Sequence, residues 1–224
     1  MPKPWVAQLL NMHEVVIQPQ ALTKFKFPVD AIIITDRIVA KQFSELLKRY
    51  RHIILPAGEH TKCLAQVETI CQRLVKLGAT RQSTLMGIGG GVVTDITGFV
   101  ASIFMRGIQY YSVPTTLLAM VDASLGGKTG VDLASGKNLV GTFYPPQAVI
   151  IDPTVLGTLP PAQFAQGMAE VIKHGVLDAK LFKWLELNKT KIKQRHLATL
   201  KILIQKNVAL KLAIATADPR EAEQ

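Results

Sequence analysis

The chain has 224 residues, 48% hydrophobic and 19% charged, with a formal net charge of +10. That balance excludes an intrinsically disordered chain, and no apolar run reaches the roughly 20 residues that cross a bilayer. The opening MPKPWVAQLLNMHEV lacks the basic start, apolar run and cleavage site of a secretory signal, so a cytoplasmic protein is expected.

Ala31–Thr35 (AIIIT) has the pattern of a short buried strand, and Ile38–Tyr50 that of an amphipathic helix. His52–Leu55 returns to strand. Thr61–Leu77 reads as a helix with apolar Leu64, Val67, Ile70, Leu74 and Leu77, ended by Gly78. Thr84–Ile88 is a further strand, followed by three glycines and an apolar helix from about Val92 to Phe104. Strands alternating with helices predict an α/β fold with a parallel sheet and ligands at the carboxyl ends of its strands. From Asp152 the pattern becomes helical throughout, starting at LPPAQFAQGMAEVIKHGVLD, whose prolines suit a helix N-terminus. A boundary near residue 152 is expected, with residues 1–152 forming the α/β unit and 153–224 a helical one.

Cys63 and Cys71 lie in an amphipathic stretch without CxxC or Cys/His spacing, as expected of reduced, packed thiols. Much of the positive charge sits in KLFKWLELNKTKIKQRHLATLKILIQK. Leu197, Leu200, Leu203 and Ile204 keep helical spacing there, and no aromatics interleave. Helices with solvated lysine faces therefore fit better than a nucleic-acid stripe, and neither nucleic acid nor membrane is expected as a partner.

The segment Leu85–Val140 concentrates the chemistry. Glycines recur beside Asp95, Arg106, Asp122, Lys128 and Lys137, and glycine next to fixed cations favours close approach of an anionic ligand. GIGGGVVTD follows a strand and opens a helix, the setting of a pyrophosphate cradle, yet Val92 stands where the last glycine of GxGxxG belongs. SLGGKTG is not a P-loop, because Asp122 occupies its first glycine position. Glu170 and His174, four apart on a helix, face one side and could share a metal, but spacing alone does not make a site. Glu59 and Lys62 follow a strand and fit either a ribose or phosphate clamp or a capped helix start.

Taken together, GEHTK, GGGVVTDITGFVAS, MRG, VPTTLLAMVDASLGGKTGVD, GKNLVGTFYPP and QGMAEVIKHG resemble, in that order, the 3-dehydroquinate synthase family. The resemblance runs from about Ile32 to Glu221. It implies a Rossmann-like N-terminal domain followed by a helical metal- and substrate-binding domain, incomplete in this chain. It also implies conversion of 3-deoxy-D-arabino-heptulosonate 7-phosphate to 3-dehydroquinate and phosphate, in the shikimate pathway, with NAD and a divalent metal, zinc or cobalt, in a homodimer.

The same resemblance assigns residues. Asp36, Glu59, Lys62, Gly90, Gly91, Val92, Asp95, Thr115, Thr116 and Thr158 fall on the NAD side, joined by Lys128 and Lys137. Arg106, Asp122, Lys128, Lys137, Asn138, Lys173, Lys211 and Glu221 fall on the substrate side, and Glu170 matches a metal ligand. Three departures stand out: Thr94 replaces a usual glycine, Ile38 stands near an expected adenosine-contacting polar residue, and His174 falls at a variable position and is set aside as a ligand. A family segment of the form LNxGHTxGHA, expected just beyond Glu221, would carry the remaining metal ligands and a catalytic histidine. The resemblance therefore implies a C-terminally truncated member with little or no activity as an isolated chain. Alternatives are a sibling sugar-phosphate cyclase, a polyol dehydrogenase of related fold, or a non-catalytic NAD-binding fragment.

Overall fold

The computed structural model describes residues 14–217. Six parallel strands form one sheet: β1 (Val15–Ile17), β2 (Ile32–Asp36), β3 (Arg51–Leu55), β4 (Leu85–Gly89), β5 (Tyr110–Pro114) and, after a separate hairpin, β8 (Ala148–Ile151). Their spatial order is β1-β8-β5-β4-β2-β3. From β2 the chain steps outward to β3, then returns to β4 on the other side, so the winding direction reverses between β2 and β4. Ligands of open parallel sheets bind at such a reversal.

The alternation of side chains along β2 divides the core. Ile32 and Ile34 join Ile53, Leu55 and Leu85 on one face, whereas Ile33 joins Met86, Ile88 and Val113 on the other. The first face is covered by α2 (Leu64–Lys76) and α3 (Gly91–Ile103). The short α1 (Arg37–Gln42) lies against the second; α4 (Pro161–Leu177), α5 (Ala179–Lys193) and α6 (Leu197–Ala217) pack on one another and join the same apolar cluster, α6 reaching β1. The apolar cluster runs unbroken from Ile33 and Met86 to Val171, Leu200 and Leu203. Each fully buried isoleucine or leucine contributes on the order of 2 kcal/mol. The helices after residue 160 thus share one continuous apolar cluster with the sheet.

Three local differences from the sequence reading have physical causes. The helix expected over Ile38–Tyr50 is two short ones, Arg37–Gln42 and Ser44–Leu47, separated at Phe43, which leaves helical geometry to pack against the core with Leu46 and Tyr50. The helix expected from Thr61 starts at Leu64. Glu59–Thr61 form a single 3-10 turn, and Lys62 and Cys63 are held out of the helix by the bond from Asp132 N to Lys62 O at 2.8 Å. Leu64, expected on the apolar face, is 46% exposed for that reason. Finally, β6 (Lys128–Leu133) and β7 (Gly136–Phe143) form an antiparallel hairpin on the α3 side, which the motif reading passed over.

The lysines of α5 are exposed, as expected of solvated faces. Among the described residues no helix is long and apolar enough to cross a membrane. Cys63 and Cys71 are free thiols, and burial pushes the Cys71 thiol up.

Candidate active site

The site is built around the turn from β4 into α3. A Cβ on Gly87 would stand 2.8 Å from Thr97 Oγ1, and one on Gly89 would stand 2.5 Å from Val93 Cβ, so these two glycines let α3 lie directly on its own strand. Gly90 is different: its Cβ would enter the space in front of Thr116, 3.1 Å from Cγ2. Gly90 caps the helix without a side-chain bond, and its carbonyl takes the Val93 and Thr94 amides. The first helical amides, at Gly91 and Val92, have no intrahelical acceptor, and with the helix dipole they form an anion cradle. The unusual Thr94 is accommodated because its hydroxyl donates back to Gly91 O at 3.1 Å.

A cavity of about 410 Å³ opens over this turn. Asp36 lines it from the end of β2, Gly58 and Glu59 from the loop after β3, and Gly90 to Val92 from α3. Thr115, Thr116 and Thr158 complete the side next to β5 and the loop before α4. Asp36 also caps α1, accepting from the Ile38 and Val39 amides through Oδ1. Ile38, at the expected adenosine position, lines the same cavity and is 55% exposed. Gln163 and Gln166 of α4 also line it, residues that the motif reading did not single out. The Gly90 gap and the exposed amides fit a dinucleotide pyrophosphate.

Next to it lies a second cavity of about 510 Å³, lined by Asp95, Asp122, Lys128, Asn138 and Lys211 together with the hairpin residues Leu139 and Phe143. Lys211 Nζ meets Asp122 Oδ1 at 2.9 Å. Asn138 is held at φ 56, and its amide donates to Asp132 Oδ1 at 2.8 Å. Asparagine adopts this left-handed conformation more readily than other side-chain-bearing residues. Two residues that line the second cavity share a buried lysine. Lys62, 5% exposed, donates to Asp95 Oδ2 and to Asn138 Oδ1, each at 2.5 Å. Burial raises the Asp95 carboxyl to about 6; the Lys62 ammonium pulls it down, and the Asp122 and Glu59 carboxylates push it up. Lys137 pairs with Glu59 at 3.0 Å, both exposed, so the hairpin is tied to the loop after β3.

A third group joins the second cavity at Asp122. Asp122, Glu170 and His174 each offer one ligand atom, and these atoms lie within 4.8 Å of one another. One nitrogen and two carboxylate oxygens are a donor set that a divalent cation such as zinc takes. Glu170 is also 3.2 Å from Lys173 Nζ and 3.4 Å from His174 Nε2. His174, set aside on sequence, thus stands beside the predicted ligand. Its other ring nitrogen is bonded to Asn207, which carried no sequence signal at all.

Among the sequence-predicted residues, Arg106, Lys62, Lys137, Glu170 and Lys173 line neither cavity, and Asp95, expected on the NAD side, lines the second. Arg106 is exposed at φ 70 after α3. Lys62, expected on the adenosine side, is buried and donates to Asp95 and Asn138, which line the second cavity. Glu221 lies outside the described residues.

Comparison with known proteins agrees with this geometry. Residues 52–166 match the family model for the N-terminal region of 3-dehydroquinate synthase, and residues 167–224 the model for its C-terminal region. A curated 3-dehydroquinate synthase of Dictyoglomus thermophilum is 47% identical over 171 residues, 76% of this chain and 48% of the relative. That of Pseudoalteromonas atlantica is 38% identical over 94% of this chain and 63% of its own. The chain thus spans from about half to under two thirds of the length of these relatives. Among solved structures, 2-epi-5-epi-valiolone synthase from Streptomyces hygroscopicus, with NAD+ and Zn2+ bound, superposes with a TM-score of 0.86 at 30% identity, over 93% of this chain and 62% of that one. A 2-deoxy-scyllo-inosose synthase complexed with carbaglucose-6-phosphate, NAD+ and Co2+ does so with 0.81 at 29% identity, over 93% and 62%.

Proposed function

The chain belongs to the 3-dehydroquinate synthase family, and from that premise we propose that its protein converts 3-deoxy-D-arabino-heptulosonate 7-phosphate to 3-dehydroquinate and phosphate. The observation that carries this reading is the pair of adjoining cavities. One is an anion cradle suited to a dinucleotide; the other is a polar chamber in which Lys128 and Lys211 stand with Asp95 and Asp122, suited to a small phosphorylated acid with several hydroxyls. Bound NAD supplies a transient hydride acceptor, and a divalent cation supplies a Lewis acid at the hydroxyl being oxidised, so that the neighbouring C–H becomes acidic enough for phosphate to leave.

The chain's own residues do the remaining work. The Gly91 and Val92 amides hold the pyrophosphate, and Asp36 and Glu59 border the adenosine end. Lys128, Lys211 and Asn138 line the chamber that takes the substrate phosphate and carboxylate. Cations fixed before the reaction begins stabilise the charge growing on the leaving phosphate without reorganising. Buried Lys62 holds Asp95 and Asn138 in place in the wall of that chamber. Glu170 would hold the cation, with ligand atoms of Asp122 and His174 within 4.8 Å of its own. The division into an NAD-binding unit up to residue 152 and a helical unit from 153, and assembly as a cytoplasmic homodimer, belong to the same proposal and rest on the family resemblance.

The test follows phosphate release by the full-length protein with NAD and zinc, offering heptulosonate phosphate and sedoheptulose 7-phosphate in parallel. Release from the former without net NADH is expected. Release only from the latter would move the protein to the valiolone-type cyclases that its structural neighbours represent. NAD binding without release from either would leave a binding module instead of an enzyme.

A further inference from the structure

The wall of the dinucleotide cavity next to α4 is a short 3-10 turn, Pro153–Gly157, with the residues that follow it up to Pro160. Val155, Thr158, Leu159 and Pro160 from this segment line the cavity. The start of the turn is fixed locally, because the buried Asp152 carboxylate accepts from the Thr154 amide at 3.0 Å and from the Gln20 amide at 2.9 Å. Its end is held from elsewhere in the chain. Arg195, in the turn between α5 and α6, donates through Nη1 to Leu156 O at 2.8 Å and to Gly157 O at 3.4 Å. The same guanidinium lies over the ring of buried Phe164 in α4, 4.7 Å from its centroid.

Ending a helix does not account for this arginine. Arg195 follows the last turn of α5 at φ 55, a left-handed position where glycine is favoured and a side chain costs backbone energy. An arginine in a surface turn ordinarily keeps its charged head in water. Here the head is turned to two carbonyls of the cavity wall, 39 and 38 positions away in sequence, and its flat face covers an aromatic ring.

We propose that Arg195 is a positioning residue of the dinucleotide cavity: by holding the Leu156 and Gly157 carbonyls, it fixes Val155 and Thr158 where they meet the nucleotide. This rests on the reading of that cavity as the NAD site. Arg195 does not itself line the cavity, so it acts through the backbone between those two wall residues. Without it the wall has to be ordered as the nucleotide enters, and that cost lowers the affinity.

The test titrates NAD+ calorimetrically into wild type, Arg195→Gly and Gln194→Gly, well below every unfolding midpoint, so that each reading is the affinity of folded protein. Glycine suits the left-handed backbone while removing the guanidinium. Gln194 is exposed at the same helix end, and its substitution perturbs α5 without removing the clamp on the wall. R195G should bind NAD+ about tenfold more weakly than wild type, and Q194G as tightly as wild type. Equal affinities for all three proteins would overturn the proposal. So would equal losses in R195G and Q194G, which a general loosening of the helix end produces. If R195G does not fold, Arg195→Lys decides, because lysine keeps the charge and the reach but has neither the fork nor the flat face. Weaker binding by R195K than by wild type then supports the proposal, and unchanged binding overturns it. A wild-type protein that takes up no NAD+ would end the reading of the cavity, and this inference with it.

Discussion

Asp95 combines burial, which favours its neutral form, with an ammonium 2.5 Å away that favours its charge. Burial dominates, so the folded pKa of about 6 lies above the ordinary 3.8. Between about pH 4 and pH 6 the folded chain then holds more protons than the unfolded one, and the stability contributed by this group falls as the pH rises through that window. Asp95→Asn should remove the slope. The stability of wild type minus that of the variant, from urea unfolding, is expected to be larger at about pH 4 than at about pH 7, by at most about 3 kcal/mol. An equal difference at both pH values would contradict this account. Asp95 itself was legible in the sequence because it follows the glycines by a fixed spacing. Its partnership with Lys62 and Asn138 was not, since these residues are 33 and 43 positions away and meet only when the hairpin folds over α3. His174 was visible as a residue four positions from Glu170. Its bond to Asn207 was not, because it spans two helices.

The seating of α3 on β4 depends on the glycine spacing, and this was readable as a strand followed by a helix. Gly89→Ala places a methyl 2.5 Å from Val93 Cβ and should push the helix away from the strand, costing about 1–3 kcal/mol and weakening NAD binding with it. At Gly157 a Cβ meets nothing within 4 Å, so Gly157→Ala should fall within about 0.5 kcal/mol of wild type. Parallel thermal unfolding and calorimetric NAD titration check both, and a similar response from the two variants would show that the contact at Val93 is not limiting. The β6–β7 hairpin was the element least visible. Its strands carry glycines and polar residues that look like phosphate-loop chemistry, and their alternation is weak because one face lines a cavity instead of a core. The start of α2 was misplaced for a related reason: Lys62 and Cys63 have helical neighbours in sequence, but pairing with Asp132 holds Cys63 extended and Lys62 outside helical geometry.

At the scale of the molecule, a cation held by groups from the turn after β5 and from α4 should link folding to metal concentration. Zn2+ at 100 times its dissociation constant is expected to add about 2.7 kcal/mol of stability, seen as a higher unfolding midpoint that EDTA reverses. Glu170→Gln should abolish most of that shift while leaving the metal-free midpoint close to wild type. A midpoint insensitive to Zn2+ in the wild-type chain would remove the site. The sequence alone determined the α/β alternation, the parallel sheet and the family, and it pointed to the glycine turn as the candidate ligand site. Each of these depends on local periodicity or on a short contiguous motif. The tertiary structure decided which predicted residues meet. It brought His174 to Glu170 and Asp122, buried Lys62 against Asp95 and Asn138, and left Arg106 outside both cavities. Such pairings depend on how separate elements cross, and crossing geometry is fixed by side-chain packing across the whole core, which no local window of sequence contains.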